Sequence, residues 1–258
     1  MSAAIKVQKS VKEQVSPEEW QKRVDLAACY RLVDYFGMTE LTGNHISTRV
    51  PGREDEFLIN PYGMLYEEVT ASSLIRINLD GDILFNQTEY GINKAGFVIH
   101  GAIHAAHHDV DCAAHTHTPA GMAVSAMECG LMPLAQSGMR FTDIAYHDYE
   151  GPASVREDGP EIVRDLGNKE AMVMRNHGLL AVGRSIPSCF QTLYRLERAC
   201  QVQIMAMSCN TPLRQPSKDV MRSTSENQRL NPARIERREA AWPALLRKLD
   251  RLDPSYRE

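Results

Sequence analysis

Several protein classes are excluded by what this chain lacks. No run approaches the roughly 18 apolar residues that mark a membrane-crossing helix, and the first residues, Met1-Ser2-Ala3-Ala4-Ile5-Lys6, offer no apolar signal core. No excess of positive charge is present: the net charge is −4, so there is no basic footprint for nucleic acid. The six cysteines are scattered without a C-x-x-C pair. They read as reduced core residues, and a cytoplasmic protein is expected. Glycine patterns of the P-loop or dinucleotide-binding type are missing, as is any Ser-His-Asp signature.

What is present is an ordinary globular composition, 43% hydrophobic and 24% charged over 258 residues, enough for one large domain or a domain with an appendage. Val110 to His117, ending in Cys112-Ala113-Ala114-His115-Thr116-His117, reads as a short strand stopped by Thr118-Pro119. Residues two apart on a strand share a face, so His115 and His117 aim two imidazoles at one spot. Cys112, at an odd offset, falls on the other face. A second apolar strand, 171–175, runs into Asn176-His177-Gly178 and supplies a third imidazole. A catalytic zinc often takes three protein ligands and keeps an open position. The competing reading is three surface or hydrogen-bonded core histidines.

Along the chain, residues 1–15 read as a loose arm. Ser16-Pro17-Glu18-Glu19 is a helix start with Ser16 as N-cap and Glu19 completing a capping box. Strands are expected at 45–50, 57–60 and 74–78, with 83–85 closing a hairpin. Helices are expected at 94–108, 119–127, 161–166 and 188–208, and a strand at 179–182. Residues 209–231 are polar and read as a linker or extended arm. A further helix runs from Asn231-Pro232 to Trp242, where Pro243 breaks or restarts it. This gives an arm (1–15), a main domain (16–208) and a C-terminal linker and helical extension (209–258) that is expected to reach onto a neighbouring subunit. Helices alternating with hairpin-type strands predict an α/β fold with a largely antiparallel central sheet covered by helices.

Thr42-Gly43-Asn44-His45-Ile46-Ser47-Thr48-Arg49, Ile59-Asn60-Pro61-Tyr62-Gly63, His115-Thr116-His117 and Asn176-His177-Gly178 together resemble the class II aldolase/adducin family over about residues 17–210. Asn60-Pro61-Tyr62-Gly63-Met64 and Asn93-Lys94-Ala95-Gly96-Phe97 lean toward the adducin head and its bacterial relatives. The resemblance implies a three-layer α/β/α sandwich. It also implies a divalent metal, zinc first, on His115, His117 and His177, and a homotetramer with sites at subunit interfaces. Two departures stand out. The aldolases' Ser-Ser-Glu run, whose glutamate is the acid/base, reads Lys94-Ala95-Gly96 here, and a phosphate-loop serine is Tyr62. A sugar-phosphate aldolase is therefore not expected.

Gly43, Asn44, Tyr62 and Lys94 are the candidate substrate-binding residues. Tyr62, Tyr146 and Arg175 are candidate catalytic groups, with Tyr66 and His147 also near the expected pocket. An ion on three imidazoles leaves positions for substrate oxygens and acts as a Lewis acid. Retro-aldol cleavage, decarboxylation and epimerisation all use that electron sink and differ in the proton-transfer group. The leading expectation is a metal-dependent lyase on a small non-phosphorylated hydroxy-carbonyl, carboxylate or aromatic substrate. The alternatives are a non-catalytic adducin-like scaffold module and an epimerase of the same fold. His100, His104 and His108 share a helix face at i, i+4 and i+8. His100 is expected under the site, with His104, His107 and His108 progressively toward the solvated helix end.

Overall fold

The computed structural model describes residues 9–149, 151, 159–230 and 239–258. It opens with a short helix α1 (Val11–Gln14), so part of the expected loose arm is ordered. Ser10 and Glu13 form a reciprocal capping box there, and Val11 is buried. Helix α2 (Pro17–Tyr35) starts as its sequence predicts, with Ser16 Oγ accepting the Glu19 N–H at 3.1 Å. Glu19 does not reach back to complete a second box. Its buried carboxylate accepts from Arg23 at 2.9 Å and from Arg76 on the sheet at 2.8 Å, pinning the helix to the layer beneath it.

Among the described residues eight strands form one sheet: β1 (His45–Val50), β2 (Arg53–Ile59), β3 (Ile75–Asn78), β4 (Ile83–Phe85), β5 (Cys112–Thr116), β6 (Ala145–His147), β7 (Ala171–Met174) and β8 (Gly178–Gly183). Their order is β4-β3-β2-β1-β5-β8-β7-β6. All neighbouring pairs are antiparallel except β6 and β7. The expected, largely antiparallel α/β sheet is the one observed. Strand β6, only three residues long, has too little pattern to be read from sequence.

Strand alternation sorts the core into layers. Cys112, Ala114, Val173, Leu179 and Ala181 face one side, against α2 and α6 (Ile186–Ser208). Ala113, Met172, Met174, Leu180 and Val182 face the other, against α3 (Lys94–Ala106) and α5 (Gly159–Leu166). His115 shares its face with Ala113 and so points toward the α3 side. Cys112 lies on the opposite face, as its offset requires. Helix α4 (Pro119–Ser125) begins at the expected N-cap, with Thr118 Oγ1 accepting the Gly121 N–H at 3.1 Å.

The C-terminal region departs from expectation. Much of the segment read as a linker is helix α7 (Lys218–Leu230), which packs on the 3₁₀ turn Gly138–Phe141; Gln228 Nε2 donates to the Gln136 carbonyl at 3.0 Å. Helix α8 (Trp242–Leu252) restarts at Pro243 and returns to α2. Trp242 Nε1 donates to Asp25 at 3.1 Å, and the Ala71 N–H donates to the Tyr256 carbonyl at 3.0 Å. These parts of the tail cover their own chain, because Trp242, Leu249 and Tyr256 complete its core. The helix start expected at Asn231-Pro232 lies outside the described residues.

Candidate metal centre

Three loops at one end of the sheet converge. Strand β5 delivers His115 and, one step past its end, His117. The β7–β8 turn delivers His177. Asn176 takes φ +54° to make that turn, and a Cβ at Gly178 would sit 2.4 Å from the Thr116 carbonyl oxygen and 3.1 Å from the His117 ring. Only glycine lets the turn press this close. The third element is the α2–β1 loop, where Leu41 adopts φ +46°, Glu40 and Gly43 lie against His117, and Asn44 holds the Glu40 N–H.

Ligating atoms of His115, His117 and His177 lie within 4.8 Å of one another, the only such group among the described residues. His115 Nε2 is 2.7 Å from His117 Nε2 and 3.3 Å from His177 Nε2. The second ring nitrogens of His115 and His117 are committed. His115 Nδ1 is 2.9 Å from the Leu179 carbonyl oxygen and must be its donor. His117 Nδ1 is 2.6 Å from the Glu40 carboxylate and is likewise a donor. The Nε2 of His115 therefore carries a lone pair, aimed at the Nε2 atoms of His117 and His177. The donor set, three imidazoles of which two are oriented by a carbonyl or carboxylate, fits a divalent metal.

Electrostatics agree. Burial, followed by the neighbouring imidazoles, pushes His115 well below the usual histidine range. His177 is lowered to about 4, by burial first and then by His117 and His147. His115 and His177 therefore stay uncharged at neutral pH, the state that binds metal.

Other candidates separate into groups. Gly43 touches the triad: a Cβ there would lie 3.9 Å from His117 Nδ1. Asn44 Oδ1 accepts the Glu40 N–H at 2.7 Å, while its buried Nδ2 has no protein acceptor among the described residues. Tyr62 is half exposed on the loop after β2, with its N–H on the Gly91 carbonyl at 2.8 Å, and Lys94 is exposed at the start of α3. Tyr146 and Arg175 do not reach the triad. Their neighbours Ala145 and Met174 face the α3 side with His115, so alternation turns both candidates to the other face. There Tyr146 accepts the Leu131 N–H at 3.0 Å, and Arg175 stacks on the Tyr146 ring and donates to the Met127 carbonyl at 2.8 Å. Tyr66 is buried against Tyr30 in the core under α2. His147 is paired with Asp165 at 2.8 Å.

His100 lies under the site as expected, but His104 is not near solvent. It is fully buried, as is His100. Three site residues escaped the sequence reading. Glu40 sits in a loop without periodicity. Tyr149 places its ring 5.8 Å from that of His177. His45 stacks its ring 5.0 Å from His115, its partner across β1 and β5. His45 explains a departure seen in the sequence: a Cβ at Gly96 would lie 2.3 Å from His45 Cδ2 and 2.6 Å from its Nε2. The imidazole occupies the space that a side chain at position 96 would need.

Residues 24–204 match the family described as the Class II Aldolase and Adducin N-terminal domain, and the chain belongs to that family. It is 44% identical to a Pseudomonas aeruginosa protein named provisionally as a class 2 aldolase, over the full length of both chains. It is 42% identical to mouse alpha-adducin over 89% of this chain, which spans 33% of that longer protein. The crystal structure of an aldolase II superfamily protein from Pseudomonas syringae superposes with a TM-score of 0.90 at 44% identity, covering 97% of this chain and 100% of that one. The fold is that of the class II aldolases.

Proposed function

We propose that the chain is a metal-dependent carbon–carbon lyase acting on a small, non-phosphorylated hydroxy-carbonyl, carboxylate or aromatic substrate. His115, His117 and His177 would hold a divalent ion, zinc first. The observation that carries this reading is the convergence of three imidazoles whose ligating atoms lie within 4.8 Å of one another, two of them held from behind by Leu179 and Glu40. When bound, the ion supplies Lewis-acid polarisation of a substrate carbonyl. The chain's own residues do the rest. Glu40 and the Leu179 carbonyl hold two rings in one tautomer and orientation. Asn44 Nδ2, buried and without an acceptor among the described residues, is a donor left for a substrate oxygen. Gly43 keeps the backbone close to His117. Tyr62 and Lys94 serve as outer substrate-side groups, while Tyr146 and Arg175 are set aside because they lie on the wrong face of the sheet.

Retention of the whole triad favours this reading over a scaffold module of the adducin type. The family resemblance further supports a homotetramer, and the reduced cysteines support a cytoplasmic location. Among the described residues no helix is long and apolar enough to cross a membrane.

The test is metal content followed by turnover. Purified protein should carry about one divalent ion per chain, and His117→Ala should lose it. Undiminished stoichiometry in that variant sinks the site assignment. The metal-loaded protein should release an aldehyde or ketone from at least one member of a panel of non-phosphorylated hydroxy-carbonyl compounds and hydroxy acids. Robust cleavage of fuculose- or ribulose-type phosphates, with no turnover of their unphosphorylated counterparts, would overturn the substrate class.

A further inference from the structure

The three imidazoles of the triad are not held alike. His115 Nδ1 donates to the Leu179 carbonyl at 2.9 Å, and His117 Nδ1 donates to the Glu40 carboxylate at 2.6 Å. His177 has no such acceptor. Among the described residues its ring meets one hydrogen-bonding neighbour, His115 Nε2, at 3.3 Å from its own Nε2. It is also only partly buried, and it rides on a turn, between Asn176 at φ +54° and Gly178. Metal-binding imidazoles normally pass their second N–H to an acceptor that fixes the ring. A contact of another kind must keep the His177 ring from turning.

That contact is Tyr149. Its ring lies 5.8 Å from the His177 ring at an interplanar angle of 63°, an edge-to-face pair within the range where aromatic rings attract. Tyr149 is 50% exposed, so core packing does not account for its place. Among the described residues its hydroxyl has no hydrogen-bond partner, which leaves the ring as the part that makes contact. The backbone brings it there. Strands β6 and β7 run parallel, and parallel pairing puts their C-terminal ends at the same end of the sheet. The register sets His147 beside Met174, and the Arg175 N–H donates to the His147 carbonyl at 2.7 Å. Two residues beyond that bond, one chain presents Tyr149 and the other His177, and the rings meet. An antiparallel β6 would carry position 149 to the far end of the sheet.

We propose that Tyr149 is the positioning residue for His177. Its ring does by edge-to-face contact what the Leu179 carbonyl and the Glu40 carboxylate do by hydrogen bonding for the other two imidazoles. This role rests on the reading of the triad as a metal site, which it divides in two. His115 and His117 are a fixed pair. His177 is the adjustable ligand: it lacks an acceptor that would raise its basicity, and its hold on an ion depends on one exposed side chain. Removing Tyr149 therefore weakens metal binding without touching a ligand or a hydrogen bond.

Two measurements test this on the full chain. The first is zinc affinity by competition with a chromophoric chelator. Tyr149→Ala should bind zinc about tenfold more weakly than wild type, the lower end of what losing an orienting neighbour costs. Tyr149→Phe, which keeps the ring and drops the hydroxyl, should match wild type. Wild-type affinity in Tyr149→Ala overturns the proposal. So does a Tyr149→Phe as weak as Tyr149→Ala, because the hydroxyl would then be the acting group. The second measurement needs no metal. In metal-free protein with ¹³C-labelled histidine, the His177 ring signals should shift in Tyr149→Ala, through loss of the neighbouring ring current, and keep close to their places in Tyr149→Phe. The signals of the buried His100 and His104 in the same spectrum report that the fold is intact. His177 signals indifferent to Tyr149→Ala overturn the contact. A wild type that takes up no zinc sinks the triad reading and this proposal with it, whereas a zinc-binding wild type with an indifferent Tyr149→Ala sinks this proposal alone.

Discussion

Gly96→Ala should damage this protein, although it replaces glycine with a better helix former in the first turn of α3. The added methyl would lie 2.3 Å from His45 Cδ2, 2.6 Å from Nε2 and 2.7 Å from Cγ. Carbon atoms pack best at about 3.5–4.0 Å, so the ring must retreat by about 1 Å. It has nowhere to go at constant bonding, because its Nδ1 sits 2.7 Å from His100 and its face packs on His115. Overpacking of this kind costs about 1–3 kcal/mol. Stretching the His45–His100 bond leaves buried imidazole nitrogens without partners, a further cost of about 1–3 kcal/mol. The helix propensity gained offsets at most about 1 kcal/mol. The net expectation is a loss of about 1–5 kcal/mol, centred near 3, from the sum of those ranges. Urea unfolding at one fixed protomer concentration measures it, so that subunit association does not intrude. His45→Ala removes the atoms that clash, so the double variant should recover at least about 1 kcal/mol relative to additivity. A Gly96→Ala protein within about 0.5 kcal/mol of wild type, or strict additivity with His45→Ala, would refute the claim that His45 excludes a side chain at position 96.

Glu40→Gln keeps the shape of the side chain but removes the charge that accepts from His117 Nδ1. Zinc affinity should fall about 10–100-fold, read by competition with a chromophoric chelator, and unchanged affinity would show that Glu40 does not orient the ligand. His100 and His104, pushed down to about 3 by burial, bind protons less readily folded than unfolded. Their neutral burial therefore costs nothing above pH 6.5, and stability should fall as pH drops from 6.5 toward 3, by up to about 3 kcal/mol per pH unit for the two together. Urea midpoints of the metal-free protein between pH 7 and pH 5 check this, and a flat profile would contradict their burial. The family resemblance predicts a tetramer by light scattering at micromolar concentration, and a monomeric mass would argue against sites completed by a neighbouring subunit.

Much of this molecule was written in the order of its residues, where the deciding interactions are local. The N-caps Ser16 and Thr118 lie three residues from the N–H groups that they satisfy, so their helix starts were readable. The same-face geometry of His115 and His117 follows from the two-residue period of a strand, and the offset of Cys112 from the same rule. The third histidine was legible because Asn176 and Gly178 mark a turn, and antiparallel pairing of β8 with β5 and β7 then brings that turn beside His117. Tertiary structure decided the rest. Glu40 meets His117 from 77 positions away, and no local pattern announces the pairing. Glu19 looked like a capping residue but was claimed by Arg23 and Arg76, because a buried guanidinium needs a carboxylate more than an exposed helix end does. Tyr146 and Arg175 have suitable chemistry but fall on the wrong face, which only the register of β6 against β7 could fix. His104, spaced like a residue near a solvated helix end, was sealed in when β1 laid Ser47 against it. Behind the metal centre a chain of His45, His100, Ser47 and His104 joins β1 to α3 across more than 50 residues of sequence. Spacing along the chain can place each of its members on an element, but only the packing of that strand on that helix makes them one hydrogen-bonded line.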